Sequence, residues 1–162
     1  MTYRVGIVMG SDSDLPVMRE AAAILAEFGI ESEMRILSAH RTPRMAAEYA
    51  ETAAERGLCA IIAGAGSAAH LAGAMAASTP LPVIGVPIQS SALNGLDALL
   101  ATVQMPSGVP VATVAINGAR NAGILAAQII GATDGAIRAK IAAYKQRMAE
   151  EVAAKNARIS SD

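Results

Sequence analysis

Ser38, His40 and Arg41 fall within four residues, in the run Ser38-Ala39-His40-Arg41-Thr42-Pro43. A histidine takes up and releases a proton near neutral pH, and an arginine keeps its charge throughout. Side by side, with a hydroxyl, they suit acid–base chemistry on an anionic molecule. On residue type alone His40 is either a general acid/base or a loop histidine that caps a backbone group. Its place between a strand-like and a helix-like stretch, beside Arg41, favours the first. Arg41 is either a bidentate anion ligand or a solvated surface charge.

Two other stretches carry chemistry-bearing residues. Gly10-Ser11-Asp12-Ser13-Asp14 follows an apolar run, where a strand would meet a helix N-terminus and its free N–H groups. There Ser11 and Ser13 suit an anion, and Asp14 suits ribose hydroxyls. Helix capping explains Ser13 and Asp14 equally well. Gly64-Ala65-Gly66-Ser67-Ala68-Ala69-His70 reads as a glycine-rich turn whose amides can approach an anion closely. It lacks the full dinucleotide-binding spacing. Read by position alone, His70 lies at the start of a helix and is structural. Met105 and Pro106 form a lid or simply pack.

Composition excludes several classes. The chain has 162 residues, 53% hydrophobic, with 13 Lys+Arg against 14 Asp+Glu and a net charge of -1. That balance, with no Trp and one Phe, argues against a basic nucleic-acid surface or a stacking platform. One cysteine, Cys59, forms neither a disulfide framework nor a thiolate cage, and its apolar setting predicts a buried thiol. Two histidines far apart in sequence, with no carboxylate cluster, argue against a metal site. No phosphate-binding P-loop and no nucleophile elbow are present. The first apolar run is too short to span a membrane and lacks a cleavage site, which predicts a cytoplasmic protein.

Hydrophobic periodicity supplies the elements that hold these residues. Strands are predicted at 3–9, 31–37, 58–63, 82–88 and 109–116. Helices are predicted at 15–28, 43–56, 69–78, 96–103, after 117–121 with an end near 131, and at 134–154, with a frayed tail after about 155. Thr42 is the predicted N-cap of the second helix, whose Met45, Tyr49 and Ala53 point inward. The last helix shows one apolar stripe through Ile137, Ile141, Tyr144, Met148 and Val152. Strands alternating with helices predict a parallel sheet with right-handed crossovers. The fold class is therefore α/β: one domain over 1–162, a three-layer αβα sandwich of about five strands with a C-terminal helix. In such a sheet the loops 10–14, 38–43, 64–68, 89–95 and 104–108 gather on one edge, where ligands bind. A soluble chain this apolar also predicts surface hidden in an oligomer.

Four stretches in this order carry a resemblance: Gly10 to Asp14, Ser38 to Pro43, Ala63 to Gly66 with Ala68 to Leu71, and Gln104-Met105-Pro106. They closely resemble the N5-carboxyaminoimidazole ribonucleotide mutases of purine biosynthesis, the class I PurE family. The likeness runs from Val5 to about Met148 and implies a flavodoxin- or Rossmann-like sheet. It implies His40 as the catalytic acid/base, Ser11 and Arg41 on the 5′-phosphate with Ser13 nearby, and Asp14 on the ribose. Ser38 and the backbone of Gly64, Ala65 and Gly66 would surround the aminoimidazole and its migrating carboxylate, and His70 would line or support the site. The family usually reads Gly-Gly-Ala-Ala-His-Leu-Pro-Gly. Here Ser67 replaces the second glycine, Ala72 the proline, and Ala98 a usual serine.

The implied activity is an isomerase that moves a carboxylate from an exocyclic nitrogen to a ring carbon of a small ribonucleotide, without cofactor or metal. The implied assembly is a homo-octamer with sites shared between subunits, with no nucleic-acid or membrane partner. Two alternatives stand beside it: a carboxylase using aminoimidazole ribonucleotide and CO₂, and a non-catalytic ribonucleotide-binding module.

Overall fold

Five short runs of alternating or continuous apolar residues become one all-parallel sheet in the computed structural model, which describes residues 2–90 and 92–159. The strands are β1 (Arg4–Met9), β2 (Glu31–Ile36), β3 (Leu58–Gly66), β4 (Val83–Ile88) and β5 (Ala112–Thr113). The helices are α1 (Leu15–Glu27), α2 (Pro43–Thr52), α3 (Leu71–Ser78), α4 (Leu96–Val103), α5 (Ala119–Gly131) and α6 (Gly135–Ile159). The sheet order is β2-β1-β3-β4-β5, a flavodoxin-like arrangement that changes direction between β1 and β3.

The period of two along the strands divides the core between the two faces. Val5, Ile7 and Met9 of β1, Ala60 and Ile62 of β3, and Ile84, Val86 and Ile88 of β4 face α1, α5 and α6. Val8, Ile61, Ala63 and Val83 face the other way, toward α2 and α3. The central strands are buried on both faces, while β2 and β5 lie at the edges and are more open.

Several elements differ from the sequence reading. β3 runs on through Gly66, so Gly64 and Gly66 are ladder residues opposite Val86 and Ile88 rather than a turn. The ladder can continue because β4 is long enough to pair with it. β5 shrinks to two residues paired with Ile84 and Gly85. It is an edge strand preceded by Pro110, which has no N–H to donate, and Asn117 turns away with φ +58°. α2 stops at Thr52, four residues early. Met45 points outward, at 57% exposure, because Ala46, Tyr49 and Ala50 form the buried stripe. α6 is helical to Ile159 rather than frayed, as its Ala-, Lys- and Arg-rich end favours helix and Arg158 suits the C-terminal dipole. Of its predicted stripe, Ile137 and Ile141 are buried, whereas Met148 and Val152 are exposed. Cys59 is half-buried rather than buried.

The N-terminal ends of the strands are tied by charge. Glu33 of β2 accepts from Arg56 (2.5 Å), Arg4 (3.0 Å) and the Tyr49 hydroxyl (2.9 Å). Burial pushes the Glu33 carboxyl up, but the bonds from Arg56 and Tyr49 outweigh it and hold it below the ordinary range. Burial and Glu33 together push the Tyr49 hydroxyl up to about 12. A carboxyl held low in the fold stabilises above its ordinary value of 4.5 and loses that contribution as pH falls through the depressed value. Glu33→Gln should therefore cost about 2 kcal/mol at pH 7, the worth of hydrogen bonds to a charged group. The gap to the parent should narrow toward pH 3, read by urea denaturation at the two pH values. An equal gap at both would remove Glu33 as the cause.

Candidate active site

Ser11 is the first side chain past β1. Its hydroxyl accepts from the Ser13 N–H (3.4 Å), and Asp14 Oδ2 accepts from the Ser11 N–H (3.2 Å). This reciprocal capping box shapes a single 3₁₀ turn, Asp12–Asp14, ahead of α1. Asp14 thus caps backward and makes no side-chain cap on α1 itself. It is 7% exposed, and burial pushes its carboxyl up despite the bond from Ser11.

After β2 the chain is fixed by Ser38 and Thr42. Ser38 N–H donates to Thr42 Oγ1 (3.0 Å), Thr42 Oγ1 donates back to the Ser38 carbonyl (3.1 Å), and Arg41 N–H donates to Ser38 Oγ (3.0 Å). Thr42 sits at the N-cap position of α2, but its hydroxyl is committed to Ser38 and does not cap the helix. The predicted cap therefore serves the loop, and the loop holds the His40 and Arg41 side chains out into the open.

His40 meets His70. Their rings stand edge to face at 81°, with His40 Nε2 2.7 Å from His70 Nδ1. Such a bond exists only while one of the two nitrogens is unprotonated, so the pair holds a shared hydrogen. The two residues lie thirty positions apart. His70 comes just before α3, after the turn Ser67–Ala69. Ser67 has φ +51°, a left-handed conformation that glycine adopts freely and serine resists.

A cleft of about 480 Å³ opens between these loops at the carboxyl ends of β1, β2, β3 and β4. It straddles the change of strand direction between β1 and β3. Ser11, Ser13 and Asp14 line it from β1, and Ser38, His40 and Arg41 from β2. Ala65 and Gly66 line it from β3. Of the ten residues singled out by sequence, those eight share its wall. Gly64 does not: it is buried in the sheet, and a Cβ there would lie 3.0 Å from the Met18 methyl. Nor does His70, which reaches the cleft through His40. Met105 lies against Gly73 of α3, where a Cβ would sit 3.0 Å from its sulfur, so this loop packs rather than closing over the cleft.

Sequence reasoning singled out no residue from β4. Ile88, Gln89 and Ser90 complete the wall there. The available signal was positional, because these residues open the polar loop that follows the fourth strand. Arg41, with His40 when protonated, is the cationic contribution among the described lining residues. Ser11, Ser13, Ser38 and Ser90 add hydroxyls to the wall.

A flavodoxin-like α/β protein with an anion-suited, histidine-bearing cleft at its sheet's switch point is what fold and site define. Residues 4–151 match the family model described as AIR carboxylase. Among curated relatives, one from Mycobacterium tuberculosis is 62% identical over 96% of this chain and 90% of its own length. Another, from Thermotoga maritima, is 63% identical over 96% and 91%. Both are named N5-carboxyaminoimidazole ribonucleotide mutase. A crystal structure of Treponema denticola PurE superposes with a TM-score of 0.86 at 29% identity, covering 96% of this chain and 97% of the other. The chain belongs to the AIR carboxylase family.

Proposed function

We propose that this chain is an N5-carboxyaminoimidazole ribonucleotide mutase, an isomerase of purine biosynthesis. The observation that carries the reading is His40 on the cleft wall, bonded to His70 and flanked by Arg41, in a chain about 60% identical to relatives of that name.

Each loop takes a share of the substrate. Ser11, Ser13 and Arg41 hold the 5′-phosphate. Asp14, acceptor-only when ionised, takes ribose hydroxyls. Ser38 and the β3 end, Ala65 and Gly66, surround the aminoimidazole. The exocyclic N–CO₂⁻ bond breaks, releasing CO₂, and His40 delivers a proton to the departing nitrogen. The electron-rich ring carbon then attacks the CO₂. The new carbon–carbon bond forms, and His40 takes up the ring proton, so the histidine ends as it began. Retaining the CO₂ requires the cleft to exclude water during the exchange. His70, bonded to His40 Nε2, orients the ring and shares its hydrogen.

We further propose a cytoplasmic homo-octamer, with the whole chain acting as one domain. Support for association comes from apolar side chains left open: Leu93, Leu96, Leu100 and Val103 form a stripe along and before α4, and Met148 and Val152 lie on the outer part of α6.

Supplying each substrate separately tests the activity. The carbamate ribonucleotide should be converted to 4-carboxy-5-aminoimidazole ribonucleotide faster than aminoimidazole ribonucleotide plus bicarbonate is. The opposite order would make the protein a carboxylase, and binding without turnover of either would make it a ribonucleotide-binding module.

A further inference from the structure

We infer that Ser90 is a further substrate-binding residue whose hydroxyl donates a hydrogen bond to the substrate's carboxylate, so that the β4 end of the cleft selects carboxylated over uncarboxylated aminoimidazole ribonucleotide. The inference rests on the ribonucleotide reading of the cleft given above.

Ser90 Oγ is buried and has no hydrogen-bond partner among the described residues, although Ser90 lines the cleft. A buried hydroxyl left unpaired is costly, and an orphan at a pocket wall points to a ligand that satisfies it. The neighbouring amides bond to one another. Gln89 N–H donates to Asn117 Oδ1 (3.0 Å), Gln89 Nε2 to Asn94 Oδ1 (3.4 Å), and Asn117 Nδ2 to Gln89 Oε1 (3.3 Å). Asn94 and Asn117 both hold left-handed backbone, with φ +53° and +58°. These bonds tie Gln89, the residue just before Ser90, to Asn94 and Asn117.

Position decides which part of the substrate it meets. Ser90 follows β4, while Arg41 follows β2, and β1 and β3 lie between. Three strand spacings amount to roughly 14 Å, the scale of a whole ribonucleotide. With the phosphate at Arg41 and Ser11, the opposite end of the molecule lies toward β4. His40 reaches His70, which follows β3. No cationic side chain lines the cleft at that end among the described residues. A carboxylate there must be met by neutral donors, and it accepts only. A free seryl hydroxyl is such a donor.

The test uses the full chain and two probes, 4-carboxy-5-aminoimidazole ribonucleotide and aminoimidazole ribonucleotide, with Kd measured by calorimetry. Ser90→Ala should weaken the carboxylated probe about tenfold or more, the loss of one hydrogen bond to a charged acceptor, and shift the uncarboxylated probe by less than about twofold. Ser90→Thr, which keeps the hydroxyl, should recover most of the loss. Where Ser90→Ala is poorly folded by circular dichroism, Ser90→Cys, of similar size with a weak donor, should show the same selective loss. Equal weakening of both probes, or of neither, by the folded variant overturns the inference while leaving the mutase reading intact. A parent protein that binds neither probe overturns both together.

Discussion

Replacing His40 by asparagine will lower kcat for ribonucleotide interconversion by roughly 10²–10⁴-fold, the range expected when a general acid/base is removed. Substrate affinity should change little. His40 lies on the cleft wall while Arg41, Ser11 and Asp14 are held by bonds that do not involve it. Asparagine keeps polarity and can still meet His70 with its amide, but it neither takes nor gives a proton at working pH. The loss must therefore fall on kcat rather than on KM. Steady-state kinetics with the carbamate substrate, together with a direct Kd, separate the two. A variant that turns over within tenfold of the parent would remove His40 from the chemistry and leave the cleft as a binding site only.

The second large effect concerns the frame. Gly123→Val should destabilise the protein by about 3 kcal/mol, at the upper end of the usual overpacking cost. α1 and α5 touch at this glycine. A Cβ there would lie 2.9 Å from the Ala21 carbonyl oxygen and 3.3 Å from its Cα, and would collide with the Ile24 side chain. Two of these obstacles are backbone, so no rotamer change relieves them, and the helices must separate. For a chain of this length the melting temperature should fall by roughly 6–12 °C. The site should feel it as well, because α1 carries the Asp14 turn at its start and Met18 beneath Gly64. Thermal denaturation and a Kd for the carboxylated ribonucleotide measure both. A shift of under 2 °C would mean that the two helices part cheaply and that small size at position 123 has another origin.

The parallel α/β class, the places of β1, β3 and β4, and the loops that carry the site were legible because they rest on local signals. Apolar runs with period two, helical stripes and stop residues such as Gly29, which ends α1 with φ +74°, act over a few residues. Eight of the ten candidate residues share one cleft because each sits in the first loop residues after a strand, or at its end, and parallel strands bring those ends to one edge. Legibility failed where a neighbour decided the outcome. β5 is cut to two residues by its single partner strand and by Pro110. β3 extends through Gly66 because β4 pairs with it, so an apparent glycine turn is a ladder. Met45 is displaced outward because Ala46 and Tyr49 occupy the buried face. Thr42 and Asp14 satisfy neighbouring loop groups instead of the helices they precede.

By itself the sequence determined the family, through four short motifs in fixed order, and the residue types available for chemistry: a histidine beside an arginine, a seryl turn and a carboxyl. The tertiary structure decided how they combine. The order β2-β1-β3-β4-β5 carries His40 across to His70, thirty residues on, and puts Ser90 at the far end from Arg41. It also shows Ser67 at φ +51°, a left-handed backbone that favours glycine. Such facts are absent from any local stretch, because strand order and register are settled by burial of both sheet faces at once.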